Sequence, residues 1–353
     1  MSRPADSVVR HGVRHLPRVT VDAYNAEIRD GDGFVGDRAC TAAFHGMLDG
    51  WRAKLRSAGD DPLGTKPTAA FKKKKLDKLL REGAPEAAGV IQGAIEDFAN
   101  ELARVVDRFR KAKPWRETRR IVVGGGFRAS RVGELAIGRA SVLVKAHGHD
   151  VELCPIRHDP DQAGLLGAIH LAPPWVFAGH RAILAIDVGG SNVRAGVVVL
   201  HRKRNGALPR GTADEVDAWA YADEGRKLSR RDVVERIGAM LRRLVRRATK
   251  RGVALAPFVG VACPGVIAED GTITRGGQNL PGNWEADGFN LPAELRRELR
   301  AIGGDEALVV VHNDAVVQGL SELPFMQDVP HWGVLTIGTG LGNATFTNGA
   351  ERA

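Results

Sequence analysis

Cysteine and long apolar runs are both scarce in this sequence, and each scarcity argues against a class of protein. The 353 residues include three cysteines, Cys40, Cys154 and Cys263. They stand far apart and form no CxxC pair, which argues against a disulfide framework and a cysteine-rich zinc site and fits a reducing compartment best. No stretch approaches the roughly 18 continuous apolar residues of a membrane span. The first twenty residues hold no apolar run of the length a secretory signal needs, so a cytoplasmic protein is expected. None of the eleven histidines has metal-ligand spacing to a Cys or acidic partner, so no metal site built from side chains alone is expected.

What is present describes a globular chain of about two domains by length. Hydrophobic residues make up 43% and charged residues 26%, enough to build sizeable cores. Net charge is +9, with the basic residues concentrated in "FKKKKLDKLL" (71–80), "HRKR" (201–204) and "MLRRLVRRATKRG" (240–252). In the last run Ile237, Met240, Leu241, Leu244, Val245 and Ala248 recur at helical spacing, which puts the arginines on the outer face of an amphipathic helix. A solvated basic face is the ordinary reading of all three runs. No finger, homeodomain-like or RNP pattern accompanies them, so nucleic acid is not the expected partner.

Along the chain, residues 1–35 are polar and poorly periodic. A helix is expected over 41–55, an exposed insertion with one short basic helix over 56–86, and a long core-facing helix over 88–110 that buries Ile91, Ile95, Phe98, Leu102, Val105 and Phe109. "RRIVVGGGFRAS" (119–130) is a buried strand running into glycines. A helix, the strand "DVELCPI" and a last helix over 161–172 complete an α/β unit. "PPWVFAGH" (173–180) reads as a connector. A second α/β unit then opens with "LAIDVGGSNVRAGVVVL" (184–200) and continues through the basic helix, "FVGVACPGVI", "LPAELRREL" and "ALVVVHNDA". The hairpin "HWGVLTIGTGLGNATFT" follows.

Three glycine turns invite anion chemistry. In "DVGGSNVRAG", Gly189 and Gly190 allow a tight turn with bare N–H groups, and Ser191 and Asn192 add donors. Asp187, at the strand end, is placed to hold Mg²⁺ directly or through water. "TIGTGLGNAT" repeats the design at Gly338, Thr339 and Gly340. Two such hairpins facing one another would clamp a polyphosphate from both sides, although glycine turns between strands are commonly structural. The third turn, Gly124–Gly126, also fits G-x-G-x-x-A, and Glu152 on the next strand is roughly placed as the ribose-holding acid of a dinucleotide site. Nothing nearby suggests hydride chemistry. "VVVHNDAVVQG" ends an apolar strand with Asn313 and Asp314. Asp314 suits a general base at a cleft, and Asn and Asp equally suit a helix N-cap. "CPGVIAEDGTITRGGQNLPGNW" carries turn glycines, Asn279 and Trp284. These suit a polar ring-shaped ligand or simply a long hairpin loop.

Together these residues resemble the ROK family of bacterial sugar kinases and related repressors, whose fold is the two-lobed, ribonuclease H-like α/β fold of the actin/hexokinase ATPases. "AIDVGGSNVRAG" looks like the family's first phosphate motif, "TIGTGLGNA" its second, and "VVVHNDA" the strand bearing its catalytic aspartate. "IVVGGGF" followed by "DQAGLLGAIHLA" looks like its adenosine-side motif and closing helix. The resemblance spans about residues 20–350, in a different order. Reading 180–353 and then 1–172 restores the family order, as a circular permutation would. It implies a nucleotide-side lobe over 1–175, a sugar-binding lobe over 176–328, and a phosphate hairpin over 329–353 that returns to the first lobe.

The resemblance implies a glucokinase-like hexokinase that transfers the γ-phosphate of ATP, with Mg²⁺, to a sugar hydroxyl. Asp314 would be the base and Asn313 would hold a neighbouring hydroxyl. Gly265 and Asn279 would line the sugar pocket, the two hairpins would hold the donor phosphates, and Gly124, Gly125 and Gly126 would lie against the nucleoside. It also implies a homodimer. The family's ExGH sugar contacts and CxCGxxGC zinc motif have no counterpart here, so structural zinc is expected to be absent. Asp30, Asp32, Asp37 or His45 are the candidates to replace the missing sugar contacts. A non-catalytic sugar-sensing regulator is the rival of another class, and residues 1–40 show no helix-turn-helix to support it. A hexokinase that uses inorganic polyphosphate is a further alternative, encouraged by the basic runs.

Overall fold

The structure is a computed structural model that describes residues 10–201, 208–225 and 227–349. The basic run 201–204 therefore lies outside the described residues beyond His201. The described residues divide into two compact units, one built from 10–25, 161–328 and 347–349, the other from 26–160 and 329–346. Among the described residues no helix is long and apolar enough to cross a membrane.

The first unit is built on five strands, β1 (Ala182–Val188), β2 (Val193–His201), β3 (Arg210–Trp219), β4 (Leu255–Cys263) and β5 (Leu308–Asn313). They lie in the order β3-β2-β1-β4-β5. The first three form an antiparallel meander, and β4 and β5 run parallel to β1. This is the ribonuclease H-like arrangement. All seven residues of β1, AILAIDV, are buried, as a central strand covered on both faces requires. Four helices frame the sheet: α1 (Pro160–Gly167), α2 (Arg230–Lys250), α3 (Leu291–Leu299) and α4 (Asp314–Glu322). Ile237, Leu241 and Leu244 of α2 and Leu295 of α3 share one apolar core with Leu184, Ile186, Val259 and Val261 of the sheet.

Two features of this unit differ from the sequence reading. Strand β3 was not expected, because RGTADEVDAW lacks an apolar face; its burial nonetheless alternates at every second residue. The half-buried Glu215 and Asp217, with the exposed Asp214, meet Arg243 of α2 and Arg251 just past its end. Arg243 Nη2 lies 2.9 Å from Asp217, and Arg251 Nη1 lies 2.6 Å from Asp214 and 2.7 Å from Glu215. The arginine face is thus not simply solvated. Each pair alone contributes little, but together they fix the register of an edge strand, since a one-residue slip would turn the acids away.

The unit boundaries differ as well. Residues 10–25 and 161–175, expected in the nucleotide-side lobe, belong with the β1–β5 sheet. The amino-terminal segment covers the free edge of β5: Gly12 N–H donates to Val311 O (3.1 Å) and Val311 N–H to His11 Nδ1 (3.2 Å). A bare edge strand would otherwise expose its backbone groups. Helix α1 is held by backbone approach. A Cβ on Gly164 would come within 2.6 Å of the Asp187 carboxyl carbon, and one on Gly167 within 1.7 Å of Val317 O on α4. The expected connector contains a six-residue helix, Pro174–Gly179.

In the second unit the strand Arg120–Gly124 runs parallel to His331–Ile337 on one side and Glu152–Pro155 on the other. Leu341–Asn348 forms a hairpin with His331–Ile337. The helix Pro85–Lys111 buries the stripe from Ile91 to Phe109 as expected. Segment 56–86 is not a loose insertion. The fully buried Arg52 bonds Asp61, Thr68 Oγ1 and the carbonyls of Gly64 and Lys66, the last three at 2.7 Å. Those bonds fold the segment so that Leu63, Phe71 and Leu76 enter the core. Glu152 begins its strand beside Arg120 (2.6 Å). That is the end opposite the glycine turn, because the two strands are parallel. A ribose-holding role for Glu152 is thereby removed.

The contact between α1 and α4 tolerates no side chain on Gly167. Gly167→Ala is expected to destabilise the protein by about 3 kcal/mol through overpacking against backbone. A lower denaturant midpoint at unchanged m-value would show it.

Candidate active site

The carboxyl ends of β1, β4 and β5 come together in register: Asp187 pairs with Ala262, and Ala262 and Cys263 pair with His312 and Asn313. Open α/β sheets bind ligands at this end of their parallel strands. Asp187 is 4% exposed. Its burial pushes its carboxyl up to about 6, with Arg194 opposing the rise and Asp314 and Asp161 adding to it. Arg194 reaches from β2, with Nη1 3.7 Å from Asp187 and Nη2 2.5 Å from Asp161. Asp314 keeps part of its surface open, yet its packing also pushes its carboxyl up to about 6 against the pull of its own and the Ala315 backbone N–H groups. The Cys263 thiol is pushed up by burial and by the same two acids. One compact region thus holds two carboxyl groups that are costly to ionise together.

Asn313, and not Asp314, takes the helix cap. The Asn313 side chain caps α4, its Oδ1 accepting from the N–H groups of Ala315 (3.0 Å) and Val316 (3.2 Å). Its Nδ2 donates to Gly265 O at 2.9 Å. The cap is therefore filled by Asn313, and Asp314 is the first helical residue. Asn313 is less free to bind a hydroxyl than the resemblance implied, because both ends of its amide are engaged. Gly265 has a φ of 103° and no room for a Cβ, which would meet Arg275 O at 2.6 Å. His312, directly behind, is buried and held near 4 by that burial. Its Nδ1 accepts from Asn313 N–H (2.8 Å) and its Nε2 donates to Val13 O (3.0 Å). Asn279 is exposed in the loop beyond β4.

The Gly189–Asn192 turn closes through Gly189 N–H to Asn192 O (2.8 Å), and Tyr221 O–H donates to Gly189 O. Asn192 Nδ2 donates to Ser191 Oγ (3.2 Å), while Asn192 Oδ1 is buried with no hydrogen-bond partner among the described residues. In the second unit the other two glycine turns are neighbours. Gly124 pairs with Thr336, and a Cβ on Gly125 would lie 2.4 Å from Ile337 O, where the Gly338–Gly340 turn begins. Gly338 N–H donates to Gly340 O (3.0 Å), leaving Thr339 exposed at the tip. Lys73 Nζ, from the basic run, donates to Gly126 O at 2.7 Å. Asp30 and Asp32 are both engaged by Arg38. His45 and Asp49 line a cavity of about 910 Å³ that includes none of the strand-end residues.

Comparison with known proteins finds sugar-kinase structures. A Listeria monocytogenes protein provisionally assigned as an N-acetylmannosamine kinase aligns at 26% identity over 48% of each chain, with a TM-score of 0.34. A ROK hexokinase from Thermus thermophilus aligns at 22% identity over 38% of this chain and 35% of that one, TM-score 0.26. A Ppx/GppA phosphatase from Aquifex aeolicus aligns at 14% identity over 37% and 35%, TM-score 0.22. This chain is similar to ROK-type sugar kinases. It spans about half the length or less of the structures it matches, and it matches no family model and no curated protein. The functional reading therefore rests on the site's own residues.

The residues present fit a magnesium ion. Oxygen donors are what Mg²⁺ takes, and it usually needs only one or two carboxylates, with water and substrate phosphates completing its shell. Asp187 offers a carboxylate beside the unpartnered Asn192 Oδ1 turn. Among the described residues no cluster of three His, Cys, Asp or Glu side chains suits a metal held by protein alone.

A carboxyl whose pKa is raised on folding supports the fold below its unfolded value, and that support is lost as pH climbs through about 6. Asp314→Asn is therefore expected to stabilise the protein at pH 8, by about 1–2 kcal/mol after allowance for partial exposure. The gain should shrink as pH falls below about 6 and vanish near pH 3, where the carboxyl is largely neutral in both the folded and the unfolded chain. Thermal unfolding of the two proteins at both pH values would check this.

Proposed function

We propose that this chain is a sugar kinase that transfers the γ-phosphate of ATP to a hexose hydroxyl, with Asp314 as general base. The observation that carries the reading is the placing of Asp314, Asp187 and the Gly189–Asn192 turn at the carboxyl ends of β1 and β5, the parallel strands on either side of β4. A base poised near 6 is mostly ionised at neutral pH and still accepts a proton readily. Asp314 would take the proton of the attacking hydroxyl as the new O–P bond forms. The backbone N–H groups of Gly190 and Ser191 would hold phosphoryl oxygens at the turn that Gly189 closes, and Asp187 and Asn192 would orient the bound Mg²⁺. That ion, when present, neutralises charge on the transferring phosphoryl group. In the second unit the Gly338–Gly340 turn would hold donor phosphates, and the adjoining Gly124–Gly126 turn the nucleoside. Positioning and charge stabilisation account for most of the acceleration in such reactions. The chain order fits a circular permutation of the family arrangement.

Turnover on glucose, mannose, fructose, N-acetylglucosamine and N-acetylmannosamine with ATP and Mg²⁺ is read by coupled ADP release. One sugar should be phosphorylated, with kcat/KM falling as pH drops below about 6. Asp314→Asn should lose roughly 10²–10⁴-fold in kcat and keep its affinity for that sugar. Retained turnover in Asp314→Asn would remove Asp314 from the base role. Sugar binding without turnover in the wild type would point to a sensor, and activity only with inorganic polyphosphate would change the donor.

A further inference from the structure

The sugar contacts expected after the second phosphate hairpin have no sequence counterpart, and the structure offers a residue that sequence reading passed over. Asn25 follows the strand Val19–Tyr24 and has a φ of 50°, one of two non-glycine residues with positive φ among the described residues. Asparagine tolerates this region better than most residues, and such outliers gather where a side chain must be aimed. The amide of Asn25 is aimed at Gly276: a Cβ there would lie 3.0 Å from Asn25 Nδ2 and 2.9 Å from the Gly265 Cα. Gly276, with a φ of 85°, therefore sits between Asn25 and Gly265.

Three left-handed residues thus meet at one point, next to the carbonyl that Asn313 holds and one residue from Asp314. A Cβ on Gly276 would press on both Asn25 Nδ2 and the Gly265 backbone, so the bare glycine keeps this floor open beside Asn25. Tyr24, the preceding residue, fixes the segment from the same side, its O–H donating to Ile267 O at 3.2 Å. Asn25 itself is half-buried, and no hydrogen bond engages its amide among the described residues. A half-buried amide with unspent donors and an acceptor, beside a floor of bare backbone, suits a neutral polyhydroxylated molecule rather than an anion.

We infer that the Asn25 amide binds a hydroxyl of the acceptor sugar over the Gly265–Gly276 floor beside Asp314. The inference rests on the sugar-kinase reading and adds a specificity-determining contact to it. A turn-forming role makes the opposite prediction, which gives a clean test, because glycine accepts φ near +50° at least as well as asparagine. Asn25→Gly keeps the turn and removes the amide, and Asn25→Asp keeps the turn and replaces its donors with a charge.

Steady-state kinetics on the phosphorylated sugar, with calorimetry of sugar binding, would decide. Asn25→Gly should raise the KM and Kd for sugar about three- to tenfold, the value of one neutral hydrogen bond, leave the KM for ATP in place and melt no lower than wild type. Asn25→Asp should raise the sugar KM as well. Wild-type sugar affinity in Asn25→Gly would overturn the inference while leaving the kinase reading intact. A wild-type protein that neither phosphorylates nor binds any of the five sugars would overturn the kinase reading, and this contact with it.

Discussion

The site depends on two carboxyl groups held where neither ionises easily. Asp187 near the end of β1 and Asp314 just after β5 flank the end of the intervening strand β4, and burial makes each costly to ionise. Such an arrangement opposes folding at neutral pH, and chains retain it where a cation or a proton transfer uses the charge. Arg194 offsets part of the cost from one side, sharing itself between Asp187 and Asp161. The remainder suits a divalent ion brought in with a phosphorylated donor.

The packing around the pair follows from that requirement. Gly164 and Gly167 let α1 lie against the Asp187 carboxyl and against the backbone of α4. Water is kept from one side of Asp187 by close backbone contact, without a bulky side chain. Asn313 takes the helix cap, so the neighbouring aspartate does not spend its oxygens there. Gly265 supplies the carbonyl that Asn313 anchors. With the cap filled by Asn313, part of the Asp314 surface stays open.

Much of this was legible in the sequence, for physical reasons. Runs such as AILAIDV and LVVVHN can be little else than buried strands, and polar residues at their ends stand out against them. The glycine turns were legible too, and the structure seats Gly124–Gly126 beside Gly338–Gly340 as neighbours in one unit. Strand β3 was not, because its inward positions carry Asp217 and Glu215, whose partners Arg243 and Arg251 lie about 26 to 36 residues away on α2 and just past its end. The folding of segment 56–86 was hidden for a similar reason: it hangs on the single buried guanidinium of Arg52. The division into units also escaped, since the β5 edge is covered by one Gly12 backbone bond and one His11 ring nitrogen, too little to leave a periodic pattern. Asn25 escaped because only a dihedral angle marks it.

The most direct test is a carbon-13 carboxyl titration of Asp187 and Asp314 by NMR, assigned with the single Asn variants and repeated with Mg²⁺. Two carboxyls titrating near 6 are expected, with Asp187 moving down toward the ordinary range when Mg²⁺ is added. Two carboxyls ionised throughout above pH 5 and indifferent to Mg²⁺ would contradict the account, leaving an ordinary pair of strand-end acids.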